Sequence, residues 1–325
     1  MLKTYLKYST PAILAKSFLN AGKVALDEFY NKRNFVIAIS FFWIRFIYGI
    51  TIFRNKLKAK QPPFEIENNF YTINKILLKK TVQQLDIDGY SDIYFLKKNC
   101  LQEIQDEACQ NLEKAEIKYN NLLTKSIDYF NFQNFNNIQK KLDMDDIFMI
   151  KSEVNINKTH TLKKILTDDF FLKIAQSYLN TKKITLFPQL FISNLSSNIK
   201  NHLQIDALKN YGAQKYHFDI DFKKFFKIIF YLTDVEDITK GAHIYIPGTH
   251  KFKNKKHYIT GRFEDVEIEN TYKEKKIFIG KAGSFFLVDT FGIHKGSSIE
   301  TGFRVALICE YGRGHFPHYK NSLLV

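Results

Sequence analysis

The residues that could do chemistry lie in the last third of the chain. Tyr216-His217-Phe218-Asp219 places a histidine and a carboxylate two positions apart. A later string, Asp289-Thr290-Phe291-Gly292-Ile293-His294, brings a second histidine 75 residues beyond Asp219, and Arg304 follows ten positions after it. On a strand, residues two apart point to the same face. His217 and Asp219 can therefore approach one ion from one side, and His294, returning on a facing strand, can complete a triangle. Two imidazoles and one carboxylate on one face of an octahedral ion leave three positions open. A structural zinc site would instead be closed by a fourth protein ligand. Iron(II) suits this mixture of donors, and a bidentate 2-oxo acid and O2 can fill the open positions. An arginine on the strand after the distal histidine can make two hydrogen bonds to the far carboxylate of that acid.

Each piece alone is a weak signal, since His-x-Asp is common by chance. The order, the separation, the strands at both ends and the arginine together are specific. Other polar residues nearby read more blandly. His250 sits where it can stabilise the turn Pro247-Gly248-Thr249-His250, and His243 reads as core or surface, with a pocket position in reach of substrate as the alternative. Of Lys227 and Ile228 only one can face the sheet interior, and the sequence does not choose. His315 and His318 have no partner spacing, and Cys309 reads as core. Arg262-Phe263-Glu264-Asp265 reads as a lid over the site or as an ordinary surface loop.

These residues need strands to hold them. After Lys183 short apolar runs follow one another at 184–194, 225–232, 243–246, 277–279, 284–288 and 305–311, punctuated by Gly, Asp, Asn or Pro. Many short strands with turn signals predict a sandwich or barrel. Before them, Asp168 or Asp169 can cap a helix over 168–179, with Phe171, Ile174, Ala175 and Tyr178 on one face. Leu101, Ile104, Ala108, Leu112 and Ala115 predict another amphipathic helix. Leu85-Asp86-Ile87-Asp88-Gly89-Tyr90 reads as the start of a strand with a turn at the glycine, and 131–137 as an exposed Asn-rich loop.

The chain has 325 residues with 45% hydrophobic and 25% charged content, enough for one large core or one domain with an appendage. Gln61-Pro62-Pro63 reads as a linker, which divides the chain into a basic and apolar extension, 1–62, and a main domain, 63–325. Within the extension, Phe35 to Phe53 is an apolar run with Arg45 at its centre and basic residues on both flanks. Three readings stand: a helix buried against the main domain, a helix on an anionic membrane surface, or a spanning helix. The net charge of +15 raises the odds of an acidic partner. No zinc finger, RNP-type motif or Arg-rich run supports nucleic acid. The three cysteines are odd in number and lack CxxC spacing. That argues against a disulfide framework and fits the reducing cytoplasm, with peripheral contact at the inner membrane face on the second reading.

From about 85 to 311 the chain resembles the phytanoyl-CoA dioxygenase family of iron(II)- and 2-oxoglutarate-dependent oxygenases. The resemblance is carried by the segment 85–90, the helix ending in Tyr178-Leu179, His217-Phe218-Asp219, Phe230-Tyr231-Leu232-Thr233-Asp234-Val235, Pro247-Gly248-Thr249-His250, Asp289 to Gly296, and Arg304. Thr249 stands where the family has Ser. The resemblance implies an α+β fold: a double-stranded β-helix, jelly-roll or cupin-like, with flanking helices; the extension 1–62, read as helical, has no counterpart in the family pattern. It implies His217, Asp219 and His294 as metal ligands and Arg304 as the 2-oxoglutarate anchor, with Gln189 or Asn194 adding a contact. It also implies oxidative decarboxylation coupled to hydroxylation of an unactivated C–H bond. The substrate would be a small molecule, with a lipid-linked or phosphorylated sugar worth considering. The competing readings are a metal-holding module without turnover and a membrane-surface scaffold built on 35–53.

Overall fold

The computed structural model describes residues 72–194, 207–210, 212–221, 224–259, 261–313 and 321–325, with scattered positions between 15 and 46. The described positions between 15 and 46 are helical. The other residues of the 1–62 extension, and His315 and His318, lie outside the described residues. Among those described, no helix is long and apolar enough to cross a membrane.

Strand β1 is Tyr94–Phe95, β2 Leu112–Tyr119, β3 Thr124–Tyr129, β4 Ile147–Val154, β5 Ile184–Asn194 and β6 Phe225–Tyr231. Strand β7 is His243–Tyr245, β8 Lys276–Phe278, β9 Ser284–Val288, β10 His294–Gly296, β11 Phe303–Arg313 and β12 Leu323–Leu324. They form a nine-stranded sheet in the order β1-β9-β6-β11-β5-β4-β2-β3, with β12 on β5, and a three-stranded sheet in the order β10-β7-β8. The architecture is α+β, two antiparallel sheets in the manner of a double-stranded β-helix with helices against the larger one. The runs predicted as strands after Lys183 are strands.

Alternation along the large sheet divides two cores. Leu190, Ile192, Ile228, Phe230, Leu307 and Cys309 face the helices and are buried there. Ile229, Tyr231, Phe286 and Ala306 face the small sheet and pack on its Tyr245 and Phe278. The Phe278 and Phe286 rings stack at 3.9 Å between centroids, which fixes the spacing of the two sheets at one end.

Helix α1 is Thr72–Ile87, α2 Lys98–Gln110, α3 Ile138–Met144, α4 Thr161–Leu166 and α5 Asp169–Leu179. Asp168 caps α5 by accepting a hydrogen bond from the Phe170 amide at 2.8 Å, as its position predicts. Three expectations differ. Residues 85–87 are the last turn of α1 rather than the start of a strand, because Leu78, Thr81 and Leu85 recur at helical spacing and are all buried. The helix face through Leu101 stops at Gln110, and Leu112 and Ala115 belong to β2. Lys114 has φ +48, and the β2–β4 register shifts between Glu113 and Glu116. This bulge turns two residues three apart to the same side, which imitates helical spacing. Within 131–137, Phe132 is buried, its amide donating to the Cys109 carbonyl, and Phe135–Asn137 is a 3-10 turn that leads into α3.

Candidate metal centre

His217 and His294 are cross-strand partners. His217 N donates to the His294 carbonyl at 2.9 Å, and His294 N donates to the His217 carbonyl at 2.8 Å. The bridge is isolated, so His217 and Asp219 sit on a short extended segment and not on the full strand that the sequence predicts. Asp219 is held by its amide, which donates to the Thr290 carbonyl at 2.8 Å. The consequence is the same-face geometry expected of positions two apart.

The side chains converge. The imidazole centroids lie 4.4 Å apart. Asp219 Oδ1 is 3.7 Å from His217 Nε2, and Oδ2 is 3.5 Å from His294 Nε2. One ligand atom from each residue lies within 4.8 Å of the others. Backbone carbonyls set the tautomers: His217 Nδ1 is 2.9 Å from the Lys215 oxygen, and His294 Nδ1 is 2.9 Å from the Gly292 oxygen. A proton on each Nδ1 leaves both Nε2 lone pairs aimed inward, the second-sphere support common to metal-binding histidines. Burial holds both imidazoles below their usual pKa, so they are neutral, as ligands must be. Burial pushes the Asp219 carboxyl up, but the Lys227 ammonium outweighs it, by its charge and its hydrogen bond, and holds it well below the carboxylate range.

Lys227 is the residue that faces the site, and Ile228 faces the helices. Its Nζ donates to Asp219 Oδ2 at 2.9 Å and Asp221 Oδ2 at 3.0 Å, and it lies 3.3 Å from Glu310 Oε2. Glu310 is buried, and burial and Asp221 together hold its carboxyl above the usual range. Neither Glu310 nor Asp221 was singled out in the sequence. The signal was there for Glu310: it lies an even number of positions from Arg304 on one strand, so the two share a face.

The centre opens into a cavity of about 350 Å³ between the sheets. Arg304 projects into it from β11, partly buried and held by the Gly241 carbonyl and by Ser193 Oγ at 3.3 Å. Among the described residues Arg304 Nε has no hydrogen-bond partner, and neither do two further atoms lining the cavity, His243 Nε2 and Thr290 Oγ1. The His243 ring stacks at 5.3 Å over His294, so His243 belongs to the site and not to plain core or surface. A partly buried guanidinium whose buried Nε is an unused donor, beside two more unpaired polar atoms, fits an anionic group with several acceptor oxygens.

Gln189 lines the cavity floor, with no hydrogen bond to Arg304 among the described residues. Asn194 is on the opposite face of β5, where its Nδ2 donates to the Ile147 carbonyl at 3.4 Å. The strand residue that touches Arg304 is its neighbour Ser193. His250 Nε2 lies 3.0 Å from the Asp86 carbonyl and ties the turn after β7 to the end of α1. Of the segment 262–265, Arg262 lines the cavity and Phe263 bridges Tyr216. Asp265 opens helix α6, Asp265–Thr271, and accepts from Lys295 Nζ at 2.6 Å. All three cysteines are free.

No family model matches the chain, and no curated protein matches it. Solved structures do. The chain is similar to the non-heme alpha ketoglutarate dependent epimerase SnoN from nogalamycin biosynthesis at 12% identity, over 73% of this chain and 83% of that one, with a TM-score of 0.46. It is similar to HygX from Streptomyces hygroscopicus with nickel and 2-oxoglutarate bound at 12% identity, over 73% and 88%, with a TM-score of 0.44. It is similar to EctD from S. alaskensis with bound Fe at 12% identity, over 79% and 85%, with a TM-score of 0.45.

Proposed function

We propose that this chain is an iron(II)- and 2-oxoglutarate-dependent oxygenase that hydroxylates an unactivated C–H bond of a small molecule, in the manner of the phytanoyl-CoA dioxygenase family. The observation that carries the reading is the convergence of two neutral, inward-aimed imidazoles and one ionised carboxylate at the wall of a cavity that also holds a partly buried arginine whose Nε is an unused donor. Three protein ligands on one side favour a centre with open positions over a closed structural site.

His217, Asp219 and His294 would hold the ion. Bound there, iron(II) supplies the redox chemistry that couples decarboxylation of 2-oxoglutarate to oxidation of a C–H bond. Arg304 binds and orients the far carboxylate of the co-substrate, with Ser193 Oγ at 3.3 Å steadying the guanidinium. Lys227 holds the Asp219 carboxylate in one orientation through the 2.9 Å hydrogen bond to Oδ2. Ile229, Ala306 and Phe191 line the same cavity and exclude water from the reacting atoms. His243 Nε2 and Thr290 Oγ1 remain available to hydrogen-bond the acid or the substrate.

The test is anaerobic visible absorbance on adding iron(II) and then 2-oxoglutarate to the metal-free protein, with Asp219→Ala and Arg304→Ala beside it. A charge-transfer band in the wild type that is lost in both variants is the expected result. A folded wild type without a band overturns the reading in favour of a binding module.

A further inference from the structure

The cavity continues past Arg304 onto β4 and β2, beyond the strands of the large sheet that pack on the small one. The register places Lys151 opposite Glu116 on one side and Phe191 on the other, and Lys118 opposite Met149. Lys118 and Lys151 are therefore diagonal neighbours on the cavity face. Arg262 joins them from the chain segment before α6. This end of the cavity is lined by three cations and one carboxylate, Glu116, which lies 3.4 Å from Lys118 Nζ.

Two details make this more than a solvated basic surface. The Lys118 side chain is only 12% exposed, so its ammonium is crowded by like charges where water screens poorly. Burial, then Lys151 and Arg262, draw it below the usual lysine range despite Glu116. Lys151 is also positioned and not trailing in solvent, with Nζ 5.5 Å from the Phe191 ring centre. Crowded cations on one wall of a cavity are relieved by an anion. The seat is separate from the one at Arg304, because β2 and β11 are three strand steps apart in the sheet, about 14 Å at the usual spacing.

We propose that Lys118, Lys151 and Arg262 hold a phosphoryl group of the substrate, leaving the rest of the molecule to extend along the floor toward the metal centre. The seat stands on the cavity itself, and its role in turnover rests on the oxygenase reading. Phosphoryl is favoured over carboxylate because three donors arriving from three different elements match three diverging oxygens, whereas a planar carboxylate offers two.

Glycerol 3-phosphate, titrated calorimetrically into the full chain after chelator washing, tests the seat, with glycerol as the uncharged control and acetate as the carboxylate control. Saturable binding of the phosphate ester, none of glycerol and weaker binding of acetate are expected. Lys118→Gln with Lys151→Gln should weaken phosphate binding at least about tenfold, as should Lys151→Gln alone to a smaller extent. Arginine at both positions should retain it, and thermal unfolding checks that each variant is folded. Arg304→Ala should leave phosphate binding unchanged. No binding to the wild type overturns the proposal, as does binding that survives loss of both lysines and disappears with Arg304. A charge-transfer band without phosphate binding removes the seat alone. Phosphate binding without a band leaves the seat and removes the oxygenase.

Discussion

Lys227 and Asp219 share a 2.9 Å hydrogen bond through Oδ2, the same carboxylate oxygen that stands 3.5 Å from His294 Nε2. One oxygen thus faces a fixed cation on one side and the ligand cluster on the other. The ammonium also lies between Asp221 and Glu310, so three acidic side chains converge on one lysine beside the candidate metal centre.

Lys227→Met should therefore do two things. Asp219 loses the partner that fixes its orientation, and iron(II) affinity should fall about 10–100-fold, the usual effect of removing second-sphere support. The remaining acids are left crowded and unpaired, and stability should fall by about 3–5 kcal/mol. Metal titration and denaturant unfolding read the two effects separately. Unchanged values in both would make the lysine a bystander.

Arg304→Lys keeps the charge and loses the planar fork. The lysine cannot reproduce two parallel hydrogen bonds, so 2-oxoglutarate affinity should fall about tenfold or more while iron(II) affinity stays at the wild-type value. The midpoint of the charge-transfer band against 2-oxoglutarate concentration measures the first, and metal titration the second.

Gly292 has no room for a side chain. A Cβ there would strike the ring and hydroxyl of Tyr245, which is fully buried and whose Oη donates to the Asp289 carbonyl at 3.0 Å. Gly292→Ala should destabilise by about 1–3 kcal/mol. Because the Gly292 carbonyl orients His294, metal affinity should fall with stability. Gly261→Ala, with nothing within 4 Å of its Cβ, is the matched control and should be near neutral.

The imidazoles of His217, His243 and His294 are all held below the ordinary value of 6.5, chiefly by burial. The unfolded chain then takes up protons at pH values where the folded chain refuses them. Stability of the metal-free protein should be level above about pH 7.5 and should fall as pH drops through 6.5, where the unfolded histidines protonate. His243→Gln should make that fall shallower by about one proton's share. Melting temperature against pH for the two proteins decides it, and parallel curves would contradict the assignment.

The candidate site was legible because a metal-ligating set demands particular residue types in a particular order. His217, Asp219, His294 and Arg304 announce themselves without any fold, and the strands after Lys183 are equally plain as short apolar runs between turn residues. What escaped depends on register. Lys227 and Ile228 are equivalent in the sequence, and only the pairing of Glu310 directly opposite Lys227 decides which one turns inward. Asn194 and Ser193 differ by one position, and that single step puts the amide on the far side of β5 and the hydroxyl against Arg304. The choice between core and pocket for His243 stays open in the sequence because nothing local shows that its strand lies over His294. The bulge at Lys114 hid the end of α2, since it gives strand residues a helical spacing.

The mutual backbone bonds between His217 and His294 carry a further meaning. Main-chain groups alone make this pair, so the long excursion between the two histidines is closed whatever their side chains hold. Either imidazole can therefore be exchanged for another side chain without undoing the link between the two segments.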